Sequence, residues 1–360
     1  MRGAVLHKGP GELEITELVV ADPAPREVLV RTGAAGLCHS DLHVIDGSLP
    51  GRFPTCLGHE SAGVVEAVGE LVDYLKRGDH VISCLSVFCG HCDHCVGGYP
   101  NRCESTEMRR RSGEPSRLSL EDGTAVNQSF QLSSFAELML VHENALVKVV
   151  EDIPLDRAAL IGCGVMTGVG AVVNTAAVKA GETVAVIGCG GIGLNVIQGA
   201  RLVGAGRIIA VDRVPFKLEL AERFGATDTV DGSAVDPVAT VLEMTGGGVH
   251  HAFEAIGLKE TAEAAYGMLR AGGTATVVGL IRPGVTVEVP GLSLIRERKL
   301  QGSLMGSNRF RTDMPRLVDL YLQGRLDLDN LISARIALDQ VNEGFKAMQA
   351  GEVARSVIVF

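Results

Sequence analysis

The sequence has no tryptophan and few other aromatic residues, which together make up 4% of its 360 positions. It has no low-complexity tract, and 46% of its residues are hydrophobic against 21% charged, so a disordered chain is excluded. Basic residues are in the minority, with 33 Lys and Arg against 43 Asp and Glu, for a net charge of −10. An extended nucleic-acid surface is therefore not expected, because it needs a basic stripe to neutralise phosphates. We interpret the local basic run Arg109 to Arg111 as a solvated loop.

A targeting segment is also lacking. The N-terminus has no long apolar run, since charges return at Lys8, Glu12 and Glu14, and no secretory signal is expected. Residues 158–178 and 183–200 carry no charge over a membrane-spanning length. Both stretches are dense in glycine, however, which favours strand–turn–helix corners inside a buried α/β core. The sequence thus predicts a soluble, cytoplasmic protein that is not attached to a membrane.

The length is more than twice that of a typical domain and predicts two domains with separate cores. The first third is expected to be β-rich, with strands at 27–31, 61–66 and 79–83. Residues 103–134 are polar and turn-prone, which predicts a long loop. After Gly181 strands alternate with helices, which is typical of an α/β fold with a doubly wound parallel sheet. The expected order is strand 183–187, helix 191–203, strand 207–211, helix 215–224, strand 250–254, helix 260–269 and strand 274–278, then helices 311–322 and 338–348 and strand 356–360.

A glycine-rich motif follows the first strand of this series and opens the next helix: Gly188-Cys189-Gly190-Gly191-Ile192-Gly193. In that context it is the G-x-G-x-x-G fingerprint of dinucleotide binding. Gly188 permits the tight turn, Gly190 lets backbone N–H groups approach the pyrophosphate, and Gly193 lets the helix pack on the strand. Asp212 ends the following strand, where a carboxylate accepts hydrogen bonds from ribose hydroxyls and repels a 2′-phosphate. NAD is therefore the expected cofactor, and the neighbouring Arg213 leaves NADP open.

The chain has nine cysteines, and without a secretory signal disulfide bonds are not expected. Four of them lie close together in the pattern Cys89-x2-Cys92-x2-Cys95-x7-Cys103. A tetrahedral zinc site made of four thiolates requires such an arrangement, and an iron–sulfur cluster is the alternative. The distance to the fourth cysteine, which no proline follows, favours zinc. Because four protein ligands fill the coordination sphere, this zinc would be structural.

Three further potential ligands come from distant segments: Cys38, His59 and Cys163. Two thiolates and one imidazole would leave the fourth position of a tetrahedral zinc open, as catalysis requires. Each residue also has an ordinary interpretation, because a lone cysteine is usually a small core residue and a histidine can lie on the surface. Spacing alone does not join the three. The remaining cysteines, Cys56, Cys84 and Cys189, are expected in the core or in turns.

Together the motifs resemble those of zinc-containing medium-chain alcohol dehydrogenases, and they occur in family order through essentially the whole chain. They are Gly58-His59-Glu60-x2-Gly63, the four-cysteine segment, Gly162-Cys163-Gly164-x2-Thr167-Gly168, the glycine fingerprint and Ala354-Arg355-Ser356. The resemblance implies a β-rich, GroES-like catalytic domain with a zinc lobe, formed by residues 1–164 together with 305–360. It also implies a Rossmann domain that binds NAD at residues 165–304. The implied activity is reversible hydride transfer between an alcohol and NAD.

The resemblance implies roles for individual residues near a metal. Cys38, His59 and Cys163 match the ligands of a catalytic zinc, so two Zn²⁺ per subunit are expected. Asp41 matches the carboxylate that orients the ligand histidine. Glu60 matches a residue behind the zinc that can approach the metal during ligand exchange.

Further matches concern the proton and the cofactor. Ser40 and His43 match a relay that carries the alcohol proton from a hydroxyl, through the cofactor ribose, to an imidazole at the surface. A solvent-exposed histidine is the ordinary alternative for His43. His39 stands where many family members have arginine, which predicts a weaker hold on the pyrophosphate. The matches to cofactor-binding positions are His39, Thr167, Gly188, Gly190, Gly191, Ile192, Gly193, Asp212, Lys217 and Arg355.

The residues that align with the lining of the alcohol pocket are Leu49, Leu85 and Leu280. An apolar lining suits primary medium-chain, allylic or aromatic alcohols. A thiol-adduct (S-hydroxymethyl) formaldehyde dehydrogenase is the alternative: Leu49 stands where that branch has an acid and Glu107 near its expected arginine, whereas the run at 109–111 keeps it open. A non-catalytic nicotinamide- or zinc-binding protein is the alternative from a different class. The long loop at 104–131 resembles the dimeric branch of the family, so we expect a homodimer, with a homotetramer as the alternative.

Overall fold

The structure, a computed structural model, describes residues 1–111, 113–351 and 353–360. Its β-strands, numbered in chain order, are β1 Arg2–Leu6, β2 Glu14–Val20, β3 Glu27–Gly36, β4 Thr55–Cys56, β5 Glu60–Val68, β6 His80–Ser83, β7 Leu118–Leu120, β8 Ala125–Gln128, β9 Leu138–His142, β10 Leu146–Val149, β11 Thr183–Ile187, β12 Arg207–Asp212, β13 Asp228–Asp231, β14 Val249–Glu254, β15 Leu269–Val277, β16 Lys299–Gly302, β17 Ile332–Ile336 and β18 Arg355–Val359.

The α-helices are α1 His39–Ile45, α2 Asp93–Val96, α3 Leu155–Leu160, α4 Met166–Gly170, α5 Gly191–Leu202, α6 Pro215–Phe224, α7 Pro237–Thr245, α8 Lys259–Gly267, α9 Gly291–Leu294, α10 Phe310–Leu322 and α11 Val341–Ala350. Short 3₁₀ turns lie at Pro100–Arg102, Ser129–Gln131, Glu143–Ala145, Met305–Ser307 and Leu338–Gln340, and π-helical turns at Ile161–Val165 and Ala171–Thr175. The described residues divide into two compact units: Met1–Cys163 with Arg309–Phe360, and Gly164–Asn308.

The first unit is built mainly from antiparallel β-structure, with parallel pairing between β4 and β8 and between β17 and β18. Strands β1-β2-β7-β8-β4 form a closed barrel, and a second sheet has the order β10-β6-β5-β3-β18-β17. The central strand β3 pairs with β5, β9 and β18, and it ends two residues before Cys38. A buried cluster that includes Leu37, Leu42 and Leu57 packs around the segment after β3, so the core fixes the position of α1.

The long loop expected at residues 103–134 is only partly correct. Within it, β7 and β8 pair antiparallel, with Leu118 opposite Val126, and both close the barrel. These two side chains are buried in a cluster with Val5 and Leu18. Two apolar residues in a polar stretch are too few to produce a recognisable period-2 pattern, which is why the sequence did not indicate the strands.

The second unit contains a parallel sheet with helices between its strands, in the order β13-β12-β11-β14-β15-β16. The predicted doubly wound fold is confirmed. The chain starts at β11, adds β12 and β13 on one side, and then returns to add β14 on the other. The crevice between the carboxyl ends of β11 and β14 is therefore a topological switch point, where α/β proteins bind ligands.

The stretch at 158–178 is not the strand–turn–helix corner predicted from its glycines. Residues Leu155–Thr175 are helical, with two π-helical turns, and by length and composition alone they could cross a membrane. The helix is, however, 83% buried inside the protein, as a core helix would be. Its glycines serve packing, because a Cβ on Gly168 would lie 2.6 Å from Cβ of Asn195 on α5. The stretch at 183–200 is the predicted strand, turn and helix.

Candidate metal centres and cofactor site

The segment that follows β3 carries five of the predicted site residues, Cys38, His39, Ser40, Asp41 and His43, on or beside one short helix. Cys38 has an extended backbone and caps α1, which then presents Ser40, Asp41 and His43. Asp41 is buried, whereas His43 is about one-fifth exposed and its Nδ1 lies 4.0 Å from Oδ2 of Asp46. The Cys38 thiol lies 3.8 Å from the hydroxyl oxygen of Ser40. Ser40 and His43 are three residues apart on α1 and so share one helix face.

The structure brings together the three ligands that come from distant segments. One ligand atom each from Cys38, His59 and Cys163 lies within 4.8 Å of the other two, and all three residues are buried. His59 comes from the turn between β4 and β5, and Cys163 comes from the π-helical turn Ile161–Val165. Such π turns are rare in proteins, and those that occur often lie at functional sites.

A buried carboxylate fixes the histidine of this cluster. Nδ1 of His59 lies 3.0 Å from Oδ2 of Asp41, and the other oxygen of Asp41 accepts a hydrogen bond from the Gly58 backbone N–H. Because Nδ1 is engaged by the carboxylate, Nε2 is the nitrogen that His59 offers to a metal. Two sulfur donors and one nitrogen donor fit a zinc site whose fourth position is open.

The charges around the cluster favour a thiolate. Hydrogen bonding from Cys163, with the nearby charge of His59, outweighs burial and holds the pKa of the Cys38 thiol well below its usual range. Arg355 is buried beside the cluster, where it donates to the Leu37 carbonyl oxygen and lies 3.8 Å from a carboxylate oxygen of Glu60. The guanidinium of Arg355 therefore lies beside the group formed by Cys38, His59 and Cys163.

An aromatic ring that sequence reasoning missed packs on the ligand histidine. The ring centroids of Phe130 and His59 lie 4.8 Å apart. Phe130 has a φ of 51°, and Gln131 and Ser133 also have positive φ. Non-glycine residues rarely adopt this conformation, and they do so where the surroundings hold them. No pattern in the sequence marks a positive φ at phenylalanine.

The four clustered cysteines form a second potential metal centre. Their sulfur atoms lie within 4.8 Å of one another: Cys92 and Cys95 are 3.5 Å apart, Cys89 and Cys95 are 3.8 Å apart, and Cys92 and Cys103 are 3.9 Å apart. Four sulfurs at about 2.3 Å from a tetrahedral zinc stand about 3.8 Å apart, so the spacing fits that ion. A disulfide would need about 2 Å. Backbone N–H groups of Cys89 and Cys92 also point at sulfur atoms of the cluster.

The loop that follows the four-cysteine segment is held in place by the buried carboxylate of Glu27, which sequence reasoning missed. Glu27 accepts from Arg110 at 2.6 Å and from Arg117 at 2.7 Å. Burial acts to raise the pKa of Glu27, but hydrogen bonds from Arg110 and the Ala24 backbone N–H, with the charge of Arg117, hold it at about 2. The interpretation of 109–111 as a solvated loop is therefore wrong for Arg110, whose guanidinium is mostly buried in this ion pair.

The glycine fingerprint of the second unit has the geometry that a pyrophosphate needs. Gly188 has a φ of 92°, which favours glycine, and a Cβ on Gly193 would collide with the Gly188 carbonyl oxygen. A Cβ on Gly190 would meet nothing within 4 Å, so the space in front of the α5 N-terminus is open. Backbone N–H groups of Gly191 and Ile192 lie in that first turn, where an anion is favoured.

Asp212 lies at the carboxyl end of β12, beside this turn. Its Oδ2 accepts from the Cys189 backbone N–H at 2.8 Å, and its Oδ1 accepts from Arg213 at 2.7 Å. The carboxylate therefore ties the glycine turn to the end of β12. Lys217 lies on α6 and is partly exposed, and Thr167 lies on α4 with its hydroxyl 3.4 Å from the Met305 sulfur.

A second buried acid at the same sheet edge also escaped the sequence analysis. Glu254 ends β14, and its Oε1 accepts from the backbone N–H groups of Ile256 and Gly257 and from the Thr261 hydroxyl, at 2.7–2.8 Å. The three bonds fix the loop after β14. A Cβ on Gly188 would touch the Ile256 side chain, so this loop forms a wall beside the glycine turn.

The predicted pocket leucines and His39 are placed as follows. Leu49 packs against the buried cluster around Leu37, and Leu85 packs against the cluster that contains Val87. Leu280 belongs to the second unit and is 43% exposed. His39 is exposed at the first position of α1.

Comparison with known proteins gives matches over both units. The family described as "Alcohol dehydrogenase GroES-like domain" matches residues 24–152, and "Zinc-binding dehydrogenase" matches residues 191–323. The class-3 alcohol dehydrogenase of Cereibacter sphaeroides is 40% identical, over 100% of this chain and 99% of that protein. An S-(hydroxymethyl)glutathione dehydrogenase of Photobacterium damsela subsp. piscicida is also 40% identical, over 97% of both chains.

A solved structure with the same fold is the benzyl alcohol dehydrogenase of Acinetobacter calcoaceticus. It superimposes with a TM-score of 0.92 at 35% identity, and the match covers 100% of this chain and 99% of that one. The GroES-like fold predicted for the first unit and the Rossmann fold predicted for the second are both confirmed by these matches.

Proposed function

Since the chain belongs to the zinc-containing medium-chain alcohol dehydrogenases, we propose that it transfers hydride reversibly between an alcohol and NAD and holds two zinc ions per subunit. The observation that carries the proposal is the convergence of Cys38, His59 and Cys163, in a buried cluster of three donors. Three donors leave room for a substrate oxygen, whereas the four sulfurs of the lobe do not. A non-catalytic binding protein would not need one metal site with an open position beside another that is closed.

The residues of the first unit would stabilise the negative charge on the alcohol oxygen and carry away the alcohol proton. Zinc held by Cys38, His59 and Cys163 supplies a Lewis acid that stabilises negative charge on the alcohol oxygen. Asp41 keeps His59 in the tautomer whose Nε2 faces the cluster. The Ser40 hydroxyl, beside Cys38, would take the alcohol proton in the dry interior. His43, one turn further along α1 and partly exposed, would release a proton to solvent.

The residues of the second unit would hold the cofactor, for which the open space before α5 is a fitting cradle. Backbone N–H groups of Gly191, Ile192 and Gly193 would face the pyrophosphate. Asp212 would accept from the ribose hydroxyls and repel a 2′-phosphate, which favours NAD over NADP. NAD supplies the hydride acceptor. Lys217 and Thr167 are proposed as further cofactor contacts.

The substrate has two candidates. Relatives named as S-(hydroxymethyl)glutathione dehydrogenases recur among the similar proteins, at 37–40% identity, and they give the stronger support to a thiol-adduct substrate. An aromatic or medium-chain primary alcohol is supported by Leu49 and Leu85, which pack in apolar clusters, and by the benzyl alcohol dehydrogenase fold. A carboxylated adduct needs free cations, and Arg110 is already paired with Glu27.

A comparison of two substrates at matched concentrations separates these candidates. We would measure kcat/KM with NAD for benzyl alcohol and for formaldehyde premixed with glutathione. A preference for the adduct assigns the thiol-adduct activity, and Arg109 and Arg111 then become the cations to test by substitution with Gln. A preference for benzyl alcohol assigns the apolar alcohol. No turnover of either in a protein that holds two zinc ions would remove the proposed function.

We propose that the protein is a cytoplasmic homodimer that joins through the second unit. In that unit β16 is the edge strand of the parallel sheet, so one of its sides is free to pair with another strand. Large apolar side chains near it are exposed: Leu292, Ile295, Leu300 and Leu304. Such a patch is typical of an interface between subunits. Sedimentation at micromolar concentration gives the mass, and a monomer would contradict the proposal.

A further inference from the structure

The zinc lobe has a group of potential ligands on its surface in addition to its four cysteines. The Cys89 sulfur, a ring nitrogen of His91 and a carboxylate oxygen of Glu107 lie within 4.8 Å of one another. Nε2 of His91 stands 3.3 Å from Oε2 of Glu107. The side chains of His91 and Glu107 are 67% and 49% exposed, whereas the four cysteines are only half-buried.

The two groups of ligands share one atom. Cys89 belongs to the four-sulfur cluster, and its sulfur also takes part in the exposed group. An imidazole and a carboxylate are accepted zinc ligands alongside a thiolate. A thiolate and a carboxylate also balance the two positive charges of the ion. His91 lies two residues from Cys89, whereas Glu107 is distant along the chain and still brings its carboxylate to the same point.

A closed site poses a kinetic problem that the exposed group would solve. Zinc with four protein ligands has no open position, so it can enter or leave only as ligands exchange. Replacement ligands must lie close to the ion while the thiolates are released, and these ligands must be exposed to solvent. His91 and Glu107 meet both conditions, because they are exposed and lie beside a sulfur that the ion need not release.

We propose that Cys89, His91 and Glu107 form a transfer site through which zinc enters and leaves the four-cysteine lobe. On leaving, the ion keeps its bond to Cys89. The His91 imidazole and the Glu107 carboxylate would replace two of the thiolates of Cys92, Cys95 and Cys103, and a water molecule would replace the third. The three released thiolates take up protons from water, and a chelator then removes the ion from the exposed group. Loading follows the same steps in reverse, and no redox step is involved.

The inference rests on the proposed zinc in the lobe, and its test uses metal release from the intact enzyme. The variants are His91→Asn and Glu107→Gln. The matched controls are His94→Asn and Glu104→Gln, which change exposed residues of the same segment that lie outside the ligand group. Zinc release to a coloured chelator is followed optically. The phase that belongs to the lobe is identified by the simultaneous loss of circular dichroism, because a structural zinc supplies folding energy.

We expect lobe zinc to leave His91→Asn and Glu107→Gln about tenfold more slowly than it leaves wild type, because each variant lacks one of the two ligands that would receive the ion. The double variant should be no slower than the slower single variant, since both residues serve one path. Both controls should release zinc at the wild-type rate, and the zinc content before chelation should be two per chain in every variant. Alcohol oxidation should be unchanged.

The direction of the effect decides the inference. Unchanged release would make the His91–Glu107 contact a surface ion pair. Faster release would mean that the pair only supports the closed site, and either result overturns the transfer site. A wild-type protein with one zinc per chain would instead remove the lobe assignment itself, and the inference with it, while leaving the catalytic zinc in place.

Discussion

Nδ1 of His59 lies 3.0 Å from Oδ2 of Asp41, and neither side chain has any surface exposed to solvent. Burying a carboxylate is unfavourable unless it is paired, and here the pair also holds the imidazole in one orientation. Asp41 therefore arranges His59 for the cluster that it forms with Cys38 and Cys163. The four-cysteine lobe lies nearer the surface: its cysteines are half-buried, two backbone N–H groups point at its sulfur atoms, and Cys89 and Cys103 pack against the cluster that contains Val87.

The two metal centres should therefore respond differently to the loss of one ligand. Cys163→Ser should abolish alcohol oxidation and leave a folded protein, because the surroundings of Cys163 are a packed core. Cys95→Ser should lower the midpoint of thermal unfolding and expose the lobe to proteolysis, because a closed zinc supplies folding energy. Zinc content, circular dichroism and turnover of each variant check this. Full turnover by Cys163→Ser would contradict the assignment of the open site.

Asp212 should determine the choice of cofactor. Asp212→Gly should raise the KM for NAD and shift kcat/KM toward NADP, because it removes a ribose acceptor and an anion that faces the 2′-phosphate. The carboxylate also accepts from the Cys189 and Arg213 backbone N–H groups, so Asp212→Asn is the matched control that keeps an acceptor oxygen. Asp212→Asn should relax the cofactor preference with less loss of affinity for NAD. If the wild-type protein already prefers NADP, Asp212 does not select NAD.

Glu27 should make the first unit sensitive to acid. Its pKa falls from about 4.5 in the unfolded chain to about 2 in the folded protein, a difference worth about 3 kcal/mol. Because the folded pKa is the lower one, this stability is fully present above pH 4.5. It is lost as the pH falls from there toward 2.

The variant Glu27→Gln isolates this effect. At pH 7 it should lower the free energy of unfolding by about 3–5 kcal/mol, because Arg110 and Arg117 then keep their charges without a carboxylate to balance them. The deficit should shrink between pH 4.5 and pH 2, where wild-type Glu27 itself becomes neutral. Urea unfolding at pH 7 and at pH 3 measures it. The control is Glu66→Gln, which breaks a surface pair with Arg31 and should cost under about 1 kcal/mol.

Glu254 should act as a positioning residue for the cofactor site. Glu254→Ala leaves the backbone N–H groups of Ile256 and Gly257 without their acceptor, at about 1–3 kcal/mol each if they stay buried, whereas the Thr261 hydroxyl keeps the Leu258 carbonyl oxygen. The loop beside Gly188 should loosen, and the Kd for NADH, read from its fluorescence, should rise. Glu254→Gln keeps an acceptor oxygen and should restore most of the affinity. The control Thr261→Val should lower stability but leave NADH binding close to wild type. Equal NADH affinity in wild type and Glu254→Ala would exclude the role.

Features that depend on neighbouring residues could be predicted from the sequence. The glycine turn, the α5 helix and the four-cysteine cluster are each formed within about fifteen residues, so spacing specifies their chemistry. The three distant ligands could be joined only through the resemblance to a family, because nothing in the order of Cys38, His59 and Cys163 shows that β3, the β4–β5 turn and a π-helical turn meet.

The features that were missed depend on tertiary contacts. Glu27 lies far along the chain from Arg110 and Arg117, and no periodic pattern relates an acid on β3 to a loop that looks solvated. The helix Leu155–Thr175 was missed because glycine is a poor helix former. Its glycines are tolerated because helices α4 and α5 approach more closely than a Cβ at Gly168 would allow. Contacts of this kind override the local preference.

The last prediction concerns the proton that leaves the active site. If His43 releases it to solvent, His43→Gln should slow alcohol oxidation most near neutral pH and less at high pH, where hydroxide or buffer takes the proton directly. The effect should be about ten- to a hundredfold, because water replaces part of a relay at the surface. Ser40→Ala should be more damaging, since the Ser40 hydroxyl lies 3.8 Å from the thiol of Cys38, one of the proposed zinc ligands. The measurement is the pH profile of kcat/KM, with a deuterated alcohol to show that hydride transfer is observed.

Both variants should bind NADH and two zinc ions as wild type does, so a loss of rate is not a loss of cofactor or metal. The partial exposure of His43 makes the two results separable: an imidazole that solvent reaches can be replaced by buffer, whereas the Ser40 hydroxyl cannot. High concentrations of imidazole buffer should therefore rescue His43→Gln and leave Ser40→Ala slow. A His43→Gln profile that superimposes on wild type would remove His43 from the mechanism and leave it a partly exposed histidine beside Asp46.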